Sequence, residues 1–139
     1  MKISVVIPAY NESMSIEAVV NSVKEIGDVV VVDDGSSDLT GDIARRVGAI
    51  IVSHKNNLGY DMSIQSGLRK AIEIGSEFVI TFDADGQHRT EDLEKVAQPV
   101  IDGCMDTVVG ARGKGSEVSM KRLPGKLILK FVSELLVGE

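Results

Sequence analysis

DVVVVDDGSSD, residues 28–38, runs four valines straight into two aspartates, a glycine and two serines. Four consecutive β-branched residues leave no polar alternation, so the segment reads as a strand covered on both faces, ending in acid and Gly. The same pattern lies upstream in ISVVIP, which places a first strand at residues 2–8. Between the two, Ile16, Val19, Val20, Val23 and Ile26 recur at helical spacing, with Gly27 as a left-handed stop. Downstream, a short helix turns Ile43, Ala44 and Val47 inward and stops at Gly48. AIIVS is a third strand, and Ile64, Leu68, Ala71 and Ile72 form the inner stripe of a helix closed by Gly75. EFVITF is a fourth strand. A further helix opens at Thr90, with Glu91 and Asp92 in its first turn, and Pro99 kinks or shortens it. DTVVGAR is a fifth strand. After Pro124, the apolar residues Leu127, Ile128, Phe131, Leu135 and Leu136 predict an amphipathic helix.

Strands alternating with helices at this spacing predict an α/β fold, a Rossmann-like, mostly parallel sheet with helices on both faces. Its 139 residues, 43% hydrophobic and 26% charged, suit a single domain spanning 1–139. No apolar run approaches the roughly 20 residues that cross a bilayer, and the start lacks a signal-peptide layout. The lone Cys104 reads as a core or half-buried thiol, which suits a reducing, cytoplasmic setting. A net charge of −6 without a Lys/Arg cluster argues against a nucleic-acid partner.

In such sheets the ligand sits beyond the C-terminal ends of the strands. The segments found there are PAYNE (8–12), DDGSSD (33–38), HKNNLG (54–59), DADGQH (83–88) and GARGKG (110–115). Five converging loops rich in Asp, Asn and Gly predict a ligand crevice.

VVIPAYNE, VVVDDGSSD, NNLGYDMSIQSGL, DADGQH and VVGAR, in that order, resemble family 2 glycosyltransferases, which carry the GT-A-type nucleotide-sugar fold. DADGQH most resembles the branch of dolichyl-phosphate mannose synthases and other polyprenyl-phosphate sugar transferases. The resemblance implies an inverting transfer of sugar from a UDP- or GDP-linked donor to an acceptor such as a polyprenyl or dolichyl phosphate. It also implies a Mg²⁺ or Mn²⁺ cofactor. A departing nucleoside diphosphate needs its developing charge neutralised, and a cation held by carboxylates does this. Asp83 and Asp85 become the metal and diphosphate corner, with Asp85 as the direct ligand and Ala84 between them, against the alternative of an acidic helix-entry turn. Gln87 and His88 are further candidates for metal or phosphate contact.

By the same resemblance Pro8, Ala9, Tyr10 and Glu12 wall the nucleoside pocket, although Tyr10 equally suits core packing. Asp33 and Asp34 accept from base or ribose, Asp34 being the expected base contact. Gly35 reads as a turn position with positive φ. Asn57 and Gly59 match the family's helix entry, but YDMS replaces the small residues usual there. Asp61 is either an N-cap or a specificity contact. Arg112 resembles the family's phosphate-contacting arginine, its guanidinium suiting two phosphate oxygens. Lys114, Lys121, Arg122, Lys126 and Lys130 give 121–136 a basic face. That face suits an anionic membrane surface or acceptor phosphate, against the alternative of an ordinary packing helix. His54 is assigned no role.

The family's acceptor half follows this region, so the chain reads as the donor half of a longer protein at the cytoplasmic face of a membrane. The competing functions are a catalytically incomplete nucleotide-sugar-binding or membrane-docking module and a sugar nucleotidyltransferase. The latter usually needs a Gly-rich basic loop after the first strand, and PAYNES has neither Gly nor Lys. A dinucleotide dehydrogenase is disfavoured because no G-x-G-x-x-G follows that strand.

Overall fold

The computed structural model describes residues 2–85, 97–103, 107–110 and 126–130. The chain alternates β1 (Ile3–Ala9), α1 (Ile16–Val23), β2 (Asp28–Asp33), α2 (Thr40–Arg46), β3 (Ile50–Ser53), α3 (Tyr60–Glu73) and β4 (Phe78–Thr81). A helical segment, α4 (97–101 among the described residues), then precedes β5 (Thr107–Gly110) and β6 (Lys126–Lys130). The six strands form one sheet in the order β3-β2-β1-β4-β6-β5. The pairs among β1, β2, β3 and β4 are parallel, whereas β6 runs antiparallel to both β4 and β5.

Successive residues of a strand face opposite ways, and here both faces are covered. Val5, Ile7, Val29, Val31 and Ile80 pack with Ile16, Val19, Val20 and Val23 of α1, Ala44 of α2, and Ala97 and Val100 of α4. Val6, Val30 and Val79 face the other way, against Ile64, Leu68 and Ala71 of α3. The four-valine run is therefore divided between two cores, which is why it shows no polar alternation. Helices on both faces of a mostly parallel sheet are the predicted architecture.

α3 lies nearer the sheet than its large apolar residues imply. Its buried residues are Ser63, Gly67 and Ala71, one small side chain per turn, while Ile72 is 42% exposed and does not belong to the inner stripe. A Cβ built on Gly67 would stand 2.2 Å from Val6 Cγ1, so the glycine is the condition for the close approach. Gly27 also acts by space. It is not among the positive-φ glycines, and a Cβ there would lie 2.2 Å from the Ile3 carbonyl oxygen. The expected left-handed stop at Gly27 is thus replaced by steric contact with β1, and α1 ends at Val23. Gly48 and Gly75 do have positive φ directly after α2 and α3.

The amphipathic helix expected over 121–136 is corrected by β6. Lys126–Lys130 is a strand inserted between β4 and β5. Leu127, Ile128 and Leu129 form a short apolar run that suits helix and strand alike, and two open strand edges decide in favour of the sheet. The predicted start of the fourth helix at Thr90, with Glu91 and Asp92, lies outside the described residues, as does Cys104. Pro99 lies within α4, and that helix ends before Gly103, which has φ +72°.

The Gly67 contact yields a stability prediction. Gly67→Ala should destabilise the protein by about 1–3 kcal/mol in chemical denaturation, overpacking outweighing the gain of about 1 kcal/mol in helix propensity. Combining it with Val6→Ala should cost less than the sum of the two single changes.

Candidate functional site

The strand order locates the crevice. From β1 the chain moves to β2 and β3 on one side, then crosses to β4 on the other, which makes the β1/β4 gap a topological switch point. Ala9 and Tyr10 close one side of that gap, and Phe82, Asp83, Ala84 and Asp85 leave the other. Phe82 N–H donates to the Val6 carbonyl at 2.9 Å, extending the parallel ladder to the point where the acidic turn begins. Phe82 and Ala84 are buried, Asp83 is half-buried and Asp85 is exposed. Alternation has therefore put the apolar residues of FDAD inward and left its carboxylates the less buried pair.

The β1–α1 and β2–α2 loops are tied to each other through their side chains. Asn11, a non-glycine residue at φ +54°, accepts at Oδ1 from Ser37 N–H at 2.8 Å and donates its own N–H to Ser36 Oγ at 3.0 Å. Glu12 N–H donates to Thr40 Oγ1 at 2.8 Å, and Ser13 N–H to Asp38 Oδ2 at 3.1 Å. Asp38 Oδ1 accepts from both the amide and the hydroxyl of Thr40. The Thr40 hydroxyl, with its amide and Ser13 adding, outweighs the small desolvation and holds the Asp38 carboxyl down at about 2. Tyr10, at 48% exposed, is not a core residue. It stands at the crevice with Pro8 half-buried and Ala9 buried behind it. Glu12 Oε2 accepts from Ser15 Oγ at 2.8 Å.

Asp33 and Asp34 diverge as neighbours on a strand must. Asp33 is half-buried, and its Oδ1 accepts from Ser36 N–H at 3.0 Å. Asp34 turns toward α3 and is only 4% exposed. Its Oδ1 accepts from His54 Nδ1 at 2.7 Å and Leu58 N–H at 2.9 Å, and its Oδ2 from Gly59 N–H at 2.8 Å. Burial alone would raise this carboxyl, but the bonds from His54, Leu58 and Gly59 together with the His54 charge interaction leave it lowered. Asp34, the expected base contact, is engaged with the β3–α3 loop.

That loop is fixed from a second side by Gly35, at φ +72°, whose missing Cβ would meet the Asn56 carbonyl carbon at 2.6 Å. Asn57 Oδ1 accepts from Gly59 N–H at 3.1 Å. Gly59 occupies the N-cap position of α3, so Asp61 is not the cap and lies in the first turn. Tyr60, 52% exposed, points its Oη at Asp83 Oδ1, 3.4 Å away, a long hydrogen bond that links this loop to the acidic turn. Burial, then the Asp83 charge and hydrogen bond and Asp61, push the Tyr60 phenol up to about 12, keeping it a donor.

His54 and Tyr60 are the residues that sequence reasoning missed. A His at the end of a strand one residue beyond the ladder, opposite a strand-end Asp, was the available signal for the first. Gln87, His88, Arg112, Lys114, Lys121 and Arg122 lie outside the described residues. Among the described residues no three or more His, Cys, Asp or Glu side chains gather as a metal cluster, and no helix is long and apolar enough to cross a membrane.

The sequence profile of Glycosyl transferase family 2 matches residues 4–135. The chain belongs to glycosyl transferase family 2. Among its curated relatives, a UDP-N-acetylglucosamine–dolichyl-phosphate N-acetylglucosaminyltransferase of Methanococcus voltae is 36% identical, the match covering 98% of this chain and 63% of the relative. An undecaprenyl-phosphate mannosyltransferase of Micrococcus luteus is 32% identical over 81% of this chain and 49% of its own. The family 2 chain thus spans about half to two thirds of the length of these relatives. Among solved structures, glucosyl-3-phosphoglycerate synthase of Mycobacterium tuberculosis, in complex with Mn²⁺, UDP-glucose and phosphoglyceric acid, superposes with a TM-score of 0.72. The superposition covers 93% of this chain and 56% of that one, at 23% identity, and establishes the GT-A-type fold.

The Asp38 bonds can be tested by titration. Because the folded value is depressed from 3.8 to about 2, the stability Asp38 contributes is fully present above about pH 4 and lost as pH falls through about 2. Carboxyl NMR should show a midpoint near 2, moved up toward the ordinary Asp range in Thr40→Val. Asp34→Ala, which leaves the Leu58 amide and the His54 ring without their acceptor and the Gly59 amide with Asn57 Oδ1 alone, should destabilise by about 1–3 kcal/mol in urea denaturation.

Proposed function

We propose that this chain is the donor-binding part of an inverting glycosyltransferase that moves a sugar from a nucleotide-diphospho-sugar to a polyprenyl phosphate. The observation that carries the proposal is that Asp83 and Asp85 directly follow β4, and Tyr10 directly follows β1, at the β1/β4 switch point. Support comes from the relatives, whose names pair nucleotide-linked or lipid-linked sugar chemistry with dolichyl or undecaprenyl phosphate.

In this reading Tyr10 offers its exposed ring to the nucleoside, with the backbone of Pro8 and Ala9 behind it. Asp33, the less buried of the Asp pair, is the base or ribose acceptor, and Asp34 acts by holding the Asn57–Gly59 loop in place. Asp83 and Asp85 are hard oxygen donors two residues apart, a set that fits one Mg²⁺ or Mn²⁺ ion with its other positions left to phosphate and water. When bound, such an ion neutralises charge on the departing diphosphate. Arg112, two residues past β5, is the proposed guanidinium partner of the phosphates. A lipid phosphate is already anionic near neutral pH, so the acceptor needs no strong base to become nucleophilic. The working position that follows is the cytoplasmic face of a membrane, where a polyprenyl phosphate presents its head group.

Calorimetric titration of the full-length protein with UDP and with GDP, each with and without Mn²⁺, tests the reading. Metal-dependent binding of one nucleotide is expected, and Asp85→Ala should abolish the metal dependence. Nucleotide affinity that Mn²⁺ leaves unchanged in the unsubstituted protein would overturn the metal assignment.

A further inference from the structure

The His54 side chain is 10% exposed and held at both ring nitrogens. Nδ1 lies 2.7 Å from Asp34 Oδ1 and Nε2 lies 2.9 Å from Ser66 Oγ on α3. An ionised carboxylate only accepts, so Nδ1 carries its proton toward Asp34, and in the neutral ring the Ser66 hydroxyl donates to Nε2. In order, Ser66, His54 and Asp34 resemble a hydrolytic triad. Ser66, however, sits in the interior of α3 (Tyr60–Glu73), where its own amide belongs to the helical ladder and is not available to an oxyanion. The array is built to hold and not to cleave.

What it holds is the entrance of α3. His54 N–H continues the β2–β3 ladder by donating to the Asp33 carbonyl at 2.9 Å, and its ring then turns under the loop it begins. Asp34 gathers that ring and the amides of Leu58 and Gly59 on one buried carboxylate. Gly59, at φ +92°, is the N-cap of α3 and has no side chain with which to fix itself. The next residue, Tyr60, reaches Asp83. A continuous line of contacts therefore runs from Ser66 through His54, Asp34, Gly59 and Tyr60 to the acidic turn after β4.

We propose that His54 is a positioning residue of the donor site, setting the Asn57–Tyr60 loop through Asp34 so that Tyr60 orients Asp83. The inference rests on the donor-site reading above. Removing the ring leaves Asp34 Oδ1 with one donor in place of two and opens space beside it, so the carboxylate no longer fixes the Leu58 and Gly59 amides in one arrangement. Groups that orient the direct contacts of a bound ion typically change affinity or activity by 10- to 100-fold when removed.

The test is calorimetric titration of the full-length protein with UDP and GDP in the presence of Mn²⁺, at a temperature where circular dichroism shows every variant folded. His54→Ala should weaken nucleotide binding by about tenfold. His54→Asn returns an N–H near the Nδ1 position and should recover most of that loss. His54→Gln returns one near Nε2 instead, facing Ser66, and should not. Merely structural packing would not separate Asn from Gln at equal folding, so equal affinity in those two variants overturns the proposal. Unchanged binding in His54→Ala overturns it too, while leaving the donor site standing. If the unsubstituted protein binds neither nucleotide, the donor-site reading falls and this inference falls with it.

Discussion

A strand buried on both faces has no place for a polar side chain except at its ends. β1 and β2 obey that constraint along nearly their whole length, and the remaining architecture follows from it. Helices must cover each face, because apolar side chains point both ways from β1 and β2. Connections between parallel strands must cross over with those helices. The chemistry is then pushed to the rim, where each strand stops and its polar loop begins. Even there alternation persists: Asp33 and Asp34 part company across the sheet, and FDAD buries its first and third residues while presenting its second and fourth.

The rim is held together by hydrogen bonds between loops more than by loop-internal turns. Asn11, Glu12 and Ser13 are bonded to Ser36, Ser37, Asp38 and Thr40, and Asp34 is bonded to His54, Leu58 and Gly59. Asp34 and Asp38 accept from backbone amides, the His54 ring and the Thr40 hydroxyl, and these bonds lower both carboxyls. Asp83 and Asp85 lie in the turn after β4, where Asp83 accepts from Tyr60 Oη.

Most elements were legible because their signal is periodic. The valine runs, the i, i+3, i+4 stripe of α1 and the glycines after α2 and α3 all carried their meaning locally. The misreadings share a different cause, which is that the deciding partner lies far away in the chain. Lys126–Lys130 became a strand because β4 and β5 left edges for it. Gly27 answers to Ile3, and Gly67 to Val6, neither of which any local pattern reveals. The inner stripe of α3 is made of Ser63, Gly67 and Ala71, residues that a search for large apolar side chains passes over. At the candidate site, Tyr10 and the acidic turn were legible as loop residues that follow β1 and β4. His54 was passed over because its partners, Asp34 and Ser66, are 20 and 12 residues away.

The place of β6 in the sheet has a consequence for how the protein is made. Among the described residues β5 is joined to β4 only through β6, a strand that comes later in the chain than either. During synthesis, the β4 edge and the whole of β5 must wait for residues 126–130 to leave the ribosome before they gain their backbone partners. The parallel half, β1 to β4, is complete in sequence well before then, so the nascent chain carries an open strand edge for the interval. Among the described residues, closure of the sheet therefore waits on β6, and until then the β4 edge is open to pairing with another copy of the chain.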